Sequence, residues 1–250
     1  MIVANLATYP PRRAHLREIV RRLAPQVGRL NVVLNEYAEA PPELGEFPNV
    51  VPLIPPSDCK DTGKFLPDVS GAEFVLLVDD DVLYPPDYVA STLAAFTALG
   101  RSDIVGGYHA SCYRRTRSIF DPLGRRRIAS PGFPVFYRRV SDFRRGRKEA
   151  VIVDQLATNT LVIPARHMPP FKFMRSAQKF VDVRFSLWAH EKSLQLVELP
   201  RPSGWIGDLR YPETIYRSFT RRSPAEATAE ILTFAFRVPH SGRPLRTLLP

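Results

Sequence analysis

FVLLVDDD, residues 74–81, decides the architecture. Its first five residues are the most apolar run of the chain and read as a buried strand. The run ends on three aspartates. In an open parallel sheet, ligands bind beyond the carboxyl ends of the strands. Asp79, Asp80 and Asp81 are therefore expected at the mouth of a site. Three adjacent carboxylates repel one another. A divalent cation removes that repulsion, and Mg2+ and Mn2+ are hard ions that prefer carboxylate oxygen and bridge to diphosphate oxygens. The cluster predicts Mn2+ or Mg2+ together with a phosphorylated ligand.

Working outward, the same sheet extends to both sides. IVANLATY, at the N-terminus, reads as a buried strand stopped by Pro10 and Pro11. RAHLREIVRRLA (13–24) places Leu16, Ile19, Val20 and Leu23 at helical spacing on one face. NVVLN (31–35), VVPLI (50–54) and DIVGGY (103–108) read as further strands, and Pro85-Pro86 precede a helix near 87–99. Strand and helix alternate through the first hundred residues, which argues an α/β fold on a mainly parallel sheet. Later, QLATNTLVIP (155–164) reads as one strand and VRFSLWAHEKS (183–193) as a helix opened by Asp182 at its edge. LQLVELP (194–200) reads as a strand and PAEATAEILTFAF (224–236) as a C-terminal helix.

At 250 residues, 44% hydrophobic and 24% charged, the chain has ordinary globular composition and the length of one domain. No apolar run reaches the ~18–20 residues that span a bilayer, and the N-terminal order of apolar and basic residues is not that of a secretory signal. Cys59 and Cys112 form no metal-ligand spacing and read as reduced thiols, so a cytoplasmic location is expected. The net charge of +10 is concentrated: residues 101–150 hold 13 Arg and Lys against 4 Asp and Glu. The cluster runs from Arg114, Arg115 and Arg117 through Arg125, Arg126 and Arg127 to Arg138, Arg139, Arg144, Arg145, Arg147 and Lys148. It attracts anions, or it is a solvated arginine-rich surface. No zinc spacing, helix-turn-helix or aromatic RNA-binding motif accompanies it, so no nucleic-acid partner is expected.

A receiver domain carries an acidic pair after a strand, and a haloacid-dehalogenase-type phosphatase carries Asp-x-Asp-x-Thr or Val. Both motifs open their domains, whereas more than seventy residues precede this one, and its fifth position is Leu83. LLVDDDVLYPPDYV (76–89) instead resembles the Asp-x-Asp segment of bacterial GT-A glycosyltransferases of the large inverting family two. LATYPPRRAHLREIVRRLAPQVGRLNVVLNEY (6–37) resembles that family's first strand, donor-binding turn and first helix. KDTGKF (60–65) resembles its Gly-Lys turn. The resemblance covers residues 3–108 and continues more weakly through 151–208.

The resemblance implies a Rossmann-like GT-A sheet with helices on both faces. Residues 1–108 form the nucleotide-sugar half, 109–215 the acceptor half with a basic loop at 109–150, and 216–250 a C-terminal helix and tail. It implies Asp81 as metal ligand, with Asp79 near the ribose or a metal-bound water; either register leaves Asp80 to be placed. Thr8, Tyr9 and Arg12 match the turn that holds the nucleoside, with Tyr9 stacking on the base. As alternatives, Tyr9 is a strand-end core residue and Arg12 a plain surface charge. Asp61 and Lys64 match the turn near the base or diphosphate. Asp182 matches the catalytic base, or is a simple helix cap. The family's late metal-binding His has two weak matches, His190 and His240, and Trp205 stands where sugar-side loops close, as a sugar platform or a buried anchor. The implied reaction is metal-dependent transfer from a nucleotide sugar, a UDP-sugar by preference, to a glycan or polyprenyl-phosphate-linked acceptor with inversion. The basic segment would face the acceptor or an anionic inner membrane surface. The alternatives are a nucleotidyltransferase acting on sugar phosphates and a catalytically inactive binding module of the same fold.

Overall fold

A computed structural model describes residues 1–113, 138–209 and 224–245. Arg114, Arg115, Arg117, Arg125, Arg126 and Arg127 lie outside them. The strands are β1 (Ile2–Thr8), β2 (Arg29–Leu34), β3 (Val50–Leu53), β4 (Phe74–Asp79), β5 (Val82–Leu83), β6 (Ile104–Gly107), β7 (Ala110–Tyr113), β8 (Arg138–Ser141), β9 (Val151–Ile152), β10 (Gln155–Leu156), β11 (Thr160–Pro164), β12 (Gln195–Glu198) and β13 (Gly207–Asp208). The helices are α1 (Arg13–Leu23), α2 (Tyr88–Thr97), α3 (Phe171–Met174), α4 (Val181–Glu191) and α5 (Ala225–Phe234).

Eight strands form the main sheet in the order β3-β2-β1-β4-β11-β6-β12-β9. The first four are mutually parallel, β11 is antiparallel to both its neighbours, and β12 returns parallel to β6. The chain starts at β1, winds outward through β2 and β3, then returns to pair β4 with the other side of β1. That reversal opens a crevice at the carboxyl ends of β1 and β4, where open α/β sheets hold ligands.

The apolar run of β4 fits this place because both its faces are covered. Leu76 and Val78 join the cluster containing Leu16, Ile19, Val20 and Leu23 of α1 and Tyr88 and Phe96 of α2. Val75 and Leu77 join the opposite cluster with Phe185 and Ala189 of α4 and Met174 of α3. Successive strand residues point to opposite faces, so an unbroken apolar run serves two cores. Each such side chain contributes about 1.5–3 kcal/mol by leaving water. Cutting Leu76 or Leu77 to Ala should cost about 2–5 kcal/mol.

Two sequence expectations are corrected here. QLATNTLVIP is not one strand. Residues 157–159 break it, so that β10 pairs with β7 in a separate three-stranded sheet while β11 enters the main sheet. The helix expected from residue 183 begins at Val181, with Phe180 at its cap position and no side-chain cap. Asp182 therefore lies inside the first turn and is not its cap. Among the described residues, no helix is long and apolar enough to cross a membrane, and Cys59 and Cys112 are free.

Candidate functional site

β1 and β4 are in register with Ala7 beside Asp79, so Thr8 reaches the acidic turn directly. The Thr8 hydroxyl donates to Asp80 Oδ2 at 2.7 Å, and Arg12 Nη1 lies 3.3 Å from Asp80 Oδ1. The same nitrogen lies 3.0 Å from Asp81 Oδ2. Burial disfavours the Arg12 charge, but Asp80 and Asp81 outweigh it and hold the guanidinium protonated. Asp80 thus points inward, its side chain only 11% exposed, and burial pushes its carboxyl up to about 7. Asp79 and Asp81 face outward, with 35% and 30% of their side chains exposed. Burial and the Asp79 charge both raise the Asp81 carboxyl. In this geometry the outward pair is Asp79-x-Asp81, and Asp80 is the inward member, with Thr8 engaged on it. Tyr9 is exposed at the rim, not buried as a strand-end core residue. Arg12 is ion-paired and mostly covered, not a plain surface charge.

The turn 59–65 supplies the second wall. Buried Asn5 receives a hydrogen bond from Asn31 and donates to the Lys64 carbonyl. Asn35 donates to the Lys60 carbonyl and accepts from the Cys59 amide. These bonds press the turn onto β1 and β2, and a Cβ at Gly63 would meet Val33 Cγ1 at 3.0 Å. Lys64 is carried inward and is 2% exposed. Its ammonium forms an ion pair with Asp79 and donates to the Thr158 carbonyl (3.1 Å) and hydroxyl (3.0 Å). Burial disfavours the Lys64 charge, but Asp79 and Asp182 outweigh it, so the lysine stays protonated. Asp61 accepts from the Lys179 amide at 2.8 Å, and desolvation pushes its carboxyl up to about 6. It joins the turn to the segment before α4 and lies close enough to Lys64, Asp182 and Asp79 to feel their charges.

The third wall comes from the break 157–159. The Thr158 amide and hydroxyl both donate to Asp182 Oδ1 at 2.8 Å. Asp182 therefore meets the Lys64–Asp79 cluster through one threonine. Asn159 Nδ2 lies 3.2 Å from His109 Nδ1, and burial lowers the His109 imidazole while Asp182 opposes that shift. The Tyr84 hydroxyl accepts from the Asp79 amide (2.8 Å) and donates to the Asn159 carbonyl (2.7 Å). The Leu209 amide donates to the Asp81 carbonyl, and β13 pairs with β5 just before it.

Thr158, Asn159, His109 and Tyr84 escaped the sequence reading. The only signal for the first two was the polar Thr-Asn pair inside an otherwise apolar stretch. Two histidine candidates are not brought to the carboxylates. His190 lies eight residues beyond Asp182, about 12 Å along the helix, where it bonds the Asp154 carbonyl and stacks on Phe234. His240 closes a turn in the tail that docks on β9. Trp205 is half-buried, donates to Asp87 and packs against Tyr88 and Tyr108. A cavity of about 390 Å3 lined by Arg101, Asp103, His190 and Phe234 opens at the start of β6 and β12, the sheet edge away from these carboxylates.

No protein-family model and no curated protein matches the sequence. Solved structures do match in shape. S. aureus TarS 1–349 in complex with UDP-GlcNAc aligns at TM-score 0.54 and 15% identity, over 87% of this chain and 60% of that one. The fold is GT-A. TarS 1–349 without that ligand aligns at TM-score 0.50 and 15% identity, over 81% of this chain and 58% of that one. A mycobacterial protein aligns at TM-score 0.53 and 11% identity, over 94% and 74% of the two chains. The GT-A chain described here thus spans about three-fifths of the TarS fragment's length.

Among the described residues, no three His, Cys, Asp or Glu side chains group closely enough to hold a metal ion. The chain still fits a cation of the expected kind. Mg2+-type ions are commonly held by one or two carboxylates with substrate phosphates and water completing the shell. Asp79 and Asp81 are such a pair, partly exposed; burial raises Asp81 most and the Asp79 charge adds to it, a repulsion that a cation relieves.

Proposed function

We propose that this chain is a glycosyltransferase that uses a nucleotide-sugar donor, a UDP-sugar by preference, with Mn2+ or Mg2+. The observation that supports it best is the convergence of two kinds of group on one crevice. Paired carboxylates and cations close β1 and β4, and a separate carboxylate, Asp182, faces them across Thr158. The TarS neighbour, solved with UDP-GlcNAc, favours the same donor class.

Tyr9 offers an exposed ring for the base at the rim, while Arg12 and Lys64 bring positive charge to the diphosphate side. Asp81, with Asp79, would hold the ion, which supplies Lewis-acid stabilisation of charge on the departing diphosphate. Asp182 accepts the proton of the acceptor hydroxyl as that oxygen bonds the anomeric carbon and the carbon–phosphate oxygen bond breaks. A base and a leaving group on opposite sides of the sugar give inversion. The acceptor is anionic in this reading, drawn by the basic segment. Part of that segment has a structural duty: Arg144 pairs with Asp142 and Asp208, and Arg147 with Glu198. Arg139 and Arg145 remain on the surface, and with Arg125–Arg127 they are the groups offered to the acceptor or an anionic membrane.

Calorimetric titration with UDP, with and without Mn2+, tests the donor site, and a panel of nucleotide sugars tests turnover. Asp81→Ala should abolish the gain in UDP affinity given by Mn2+ and cut turnover about 100-fold or more. Metal-independent UDP binding, or turnover unaffected by Asp81→Ala, would remove the proposal. Nucleotide-triphosphate consumption with a sugar phosphate would replace it with a nucleotidyltransferase.

A further inference from the structure

We infer that Thr158 is a positioning residue that sets the Asp182 carboxylate for acceptor deprotonation; this rests on the reading of Asp182 as the base. The geometry is asymmetric. Both Thr158 donors, amide and hydroxyl, go to the same oxygen, Oδ1, at 2.8 Å each. A carboxylate bound twice through one oxygen cannot rotate about its last bond without losing both contacts. Oδ1 is thereby committed to Thr158, which leaves Oδ2 as the oxygen to take the acceptor proton.

The hydroxyl has a second partner. It accepts from the Lys64 ammonium at 3.0 Å while donating to Asp182. A hydroxyl that accepts from a cation donates more strongly, because chained hydrogen bonds polarise one another. Thr158 is 1% exposed, so no water competes for these bonds. The backbone that presents it is the break between β10 and β11, a place where regular pairing is given up. The next residue, Asn159, turns toward His109 from the same break. The three-residue interruption therefore presents two polar side chains, and Thr158 is the one in contact with Asp182.

The test uses the full chain with donor, metal and acceptor, and four variants. Thr158→Val keeps shape and removes the hydroxyl. It should lower kcat about 10- to 100-fold while donor KM stays near wild type, because general-base catalysis is worth about 100- to 10,000-fold and only its alignment is lost. The melting temperature should fall by a few degrees, since Lys64 and Asp182 each lose one buried bond. Thr158→Ser should restore most of the activity. Thr158→Ala serves the same comparison if the valine variant does not fold. Asp182→Asn fixes the reference. A Thr158→Val kcat within twofold of wild type, beside an inactive Asp182→Asn, overturns the positioning role and leaves the base intact. A rise in donor KM that accounts for the whole loss overturns it too, as it would assign Thr158 to Lys64 alone. Serine failing as badly as valine overturns it in favour of methyl packing. Full activity of Asp182→Asn removes the base and, with it, any role in positioning one.

Discussion

The two sides of the crevice hold their carboxylates by different means. On the β1–β4 side, every aspartate of the triplet is answered by a cation: Asp79 by Lys64, and Asp80 and Asp81 by Arg12. On the β11–α4 side, Asp182 is held by a neutral amide and a neutral hydroxyl. A cation close to a carboxylate favours its charged form and weakens it as a proton acceptor. Asp182 is still within reach of a cation: its charge helps hold Lys64 protonated, and the hydroxyl that binds it accepts from that ammonium. The β1–β4 carboxylates are thus balanced by direct ion pairs, and Asp182 is oriented by hydrogen bonds that relay the Lys64 charge.

The strongest way to break this contrast is Asp182→Asn. An amide keeps the shape and loses the proton acceptor, so kcat should fall about 100- to 10,000-fold with donor affinity nearly unchanged. An equal loss of donor affinity would place Asp182 on the diphosphate side and erase the distinction. Lys64→Met probes the opposite wall. The change leaves Asp79 and the Thr158 carbonyl without their ammonium, and a buried polar group so stranded costs about 1–3 kcal/mol. A chain of this size then melts several degrees lower, and UDP affinity falls with it. An unchanged melting temperature would mean that the buried ammonium does not hold the two walls together.

The smallest effect is in acidity. Burial raises Asp80 to about 7 and Asp61 to about 6. In the unfolded chain both titrate in the usual range near 4. Between these values the folded protein holds protons that the unfolded chain has released, so stability falls as pH rises through about 4 to 7. The ligand-free protein should melt a few degrees higher at pH 5.5 than at pH 8, and Asp61→Asn should flatten part of that slope. Stability rising over this window would show that Asp61 and Asp80 are less buried than described.

The parts of the molecule that the sequence disclosed are those written in long apolar runs. FVLLV could pack only as a strand covered on both faces, and Leu16, Ile19, Val20 and Leu23 could face a core only as a helix. The acidic triplet was visible, but not which member turns inward, because that depends on Thr8 and Arg12 arriving from β1 and the turn after it. The break at 157–159 was hidden by its neighbours: QLATNTLVIP is apolar enough at both ends to look continuous. Asp182 looked like a helix cap because the helix was read as starting two residues late. His109 is a single residue in a short segment, and only the distant Asn159 gives it meaning.

The Tyr84 phenol sits between the amide that ends β4 and the carbonyl that begins β11. The acidic turn therefore cannot swing outward by itself, since any such swing drags the Thr158-bearing corner along. One phenol thus ties the two sides of the crevice together from behind.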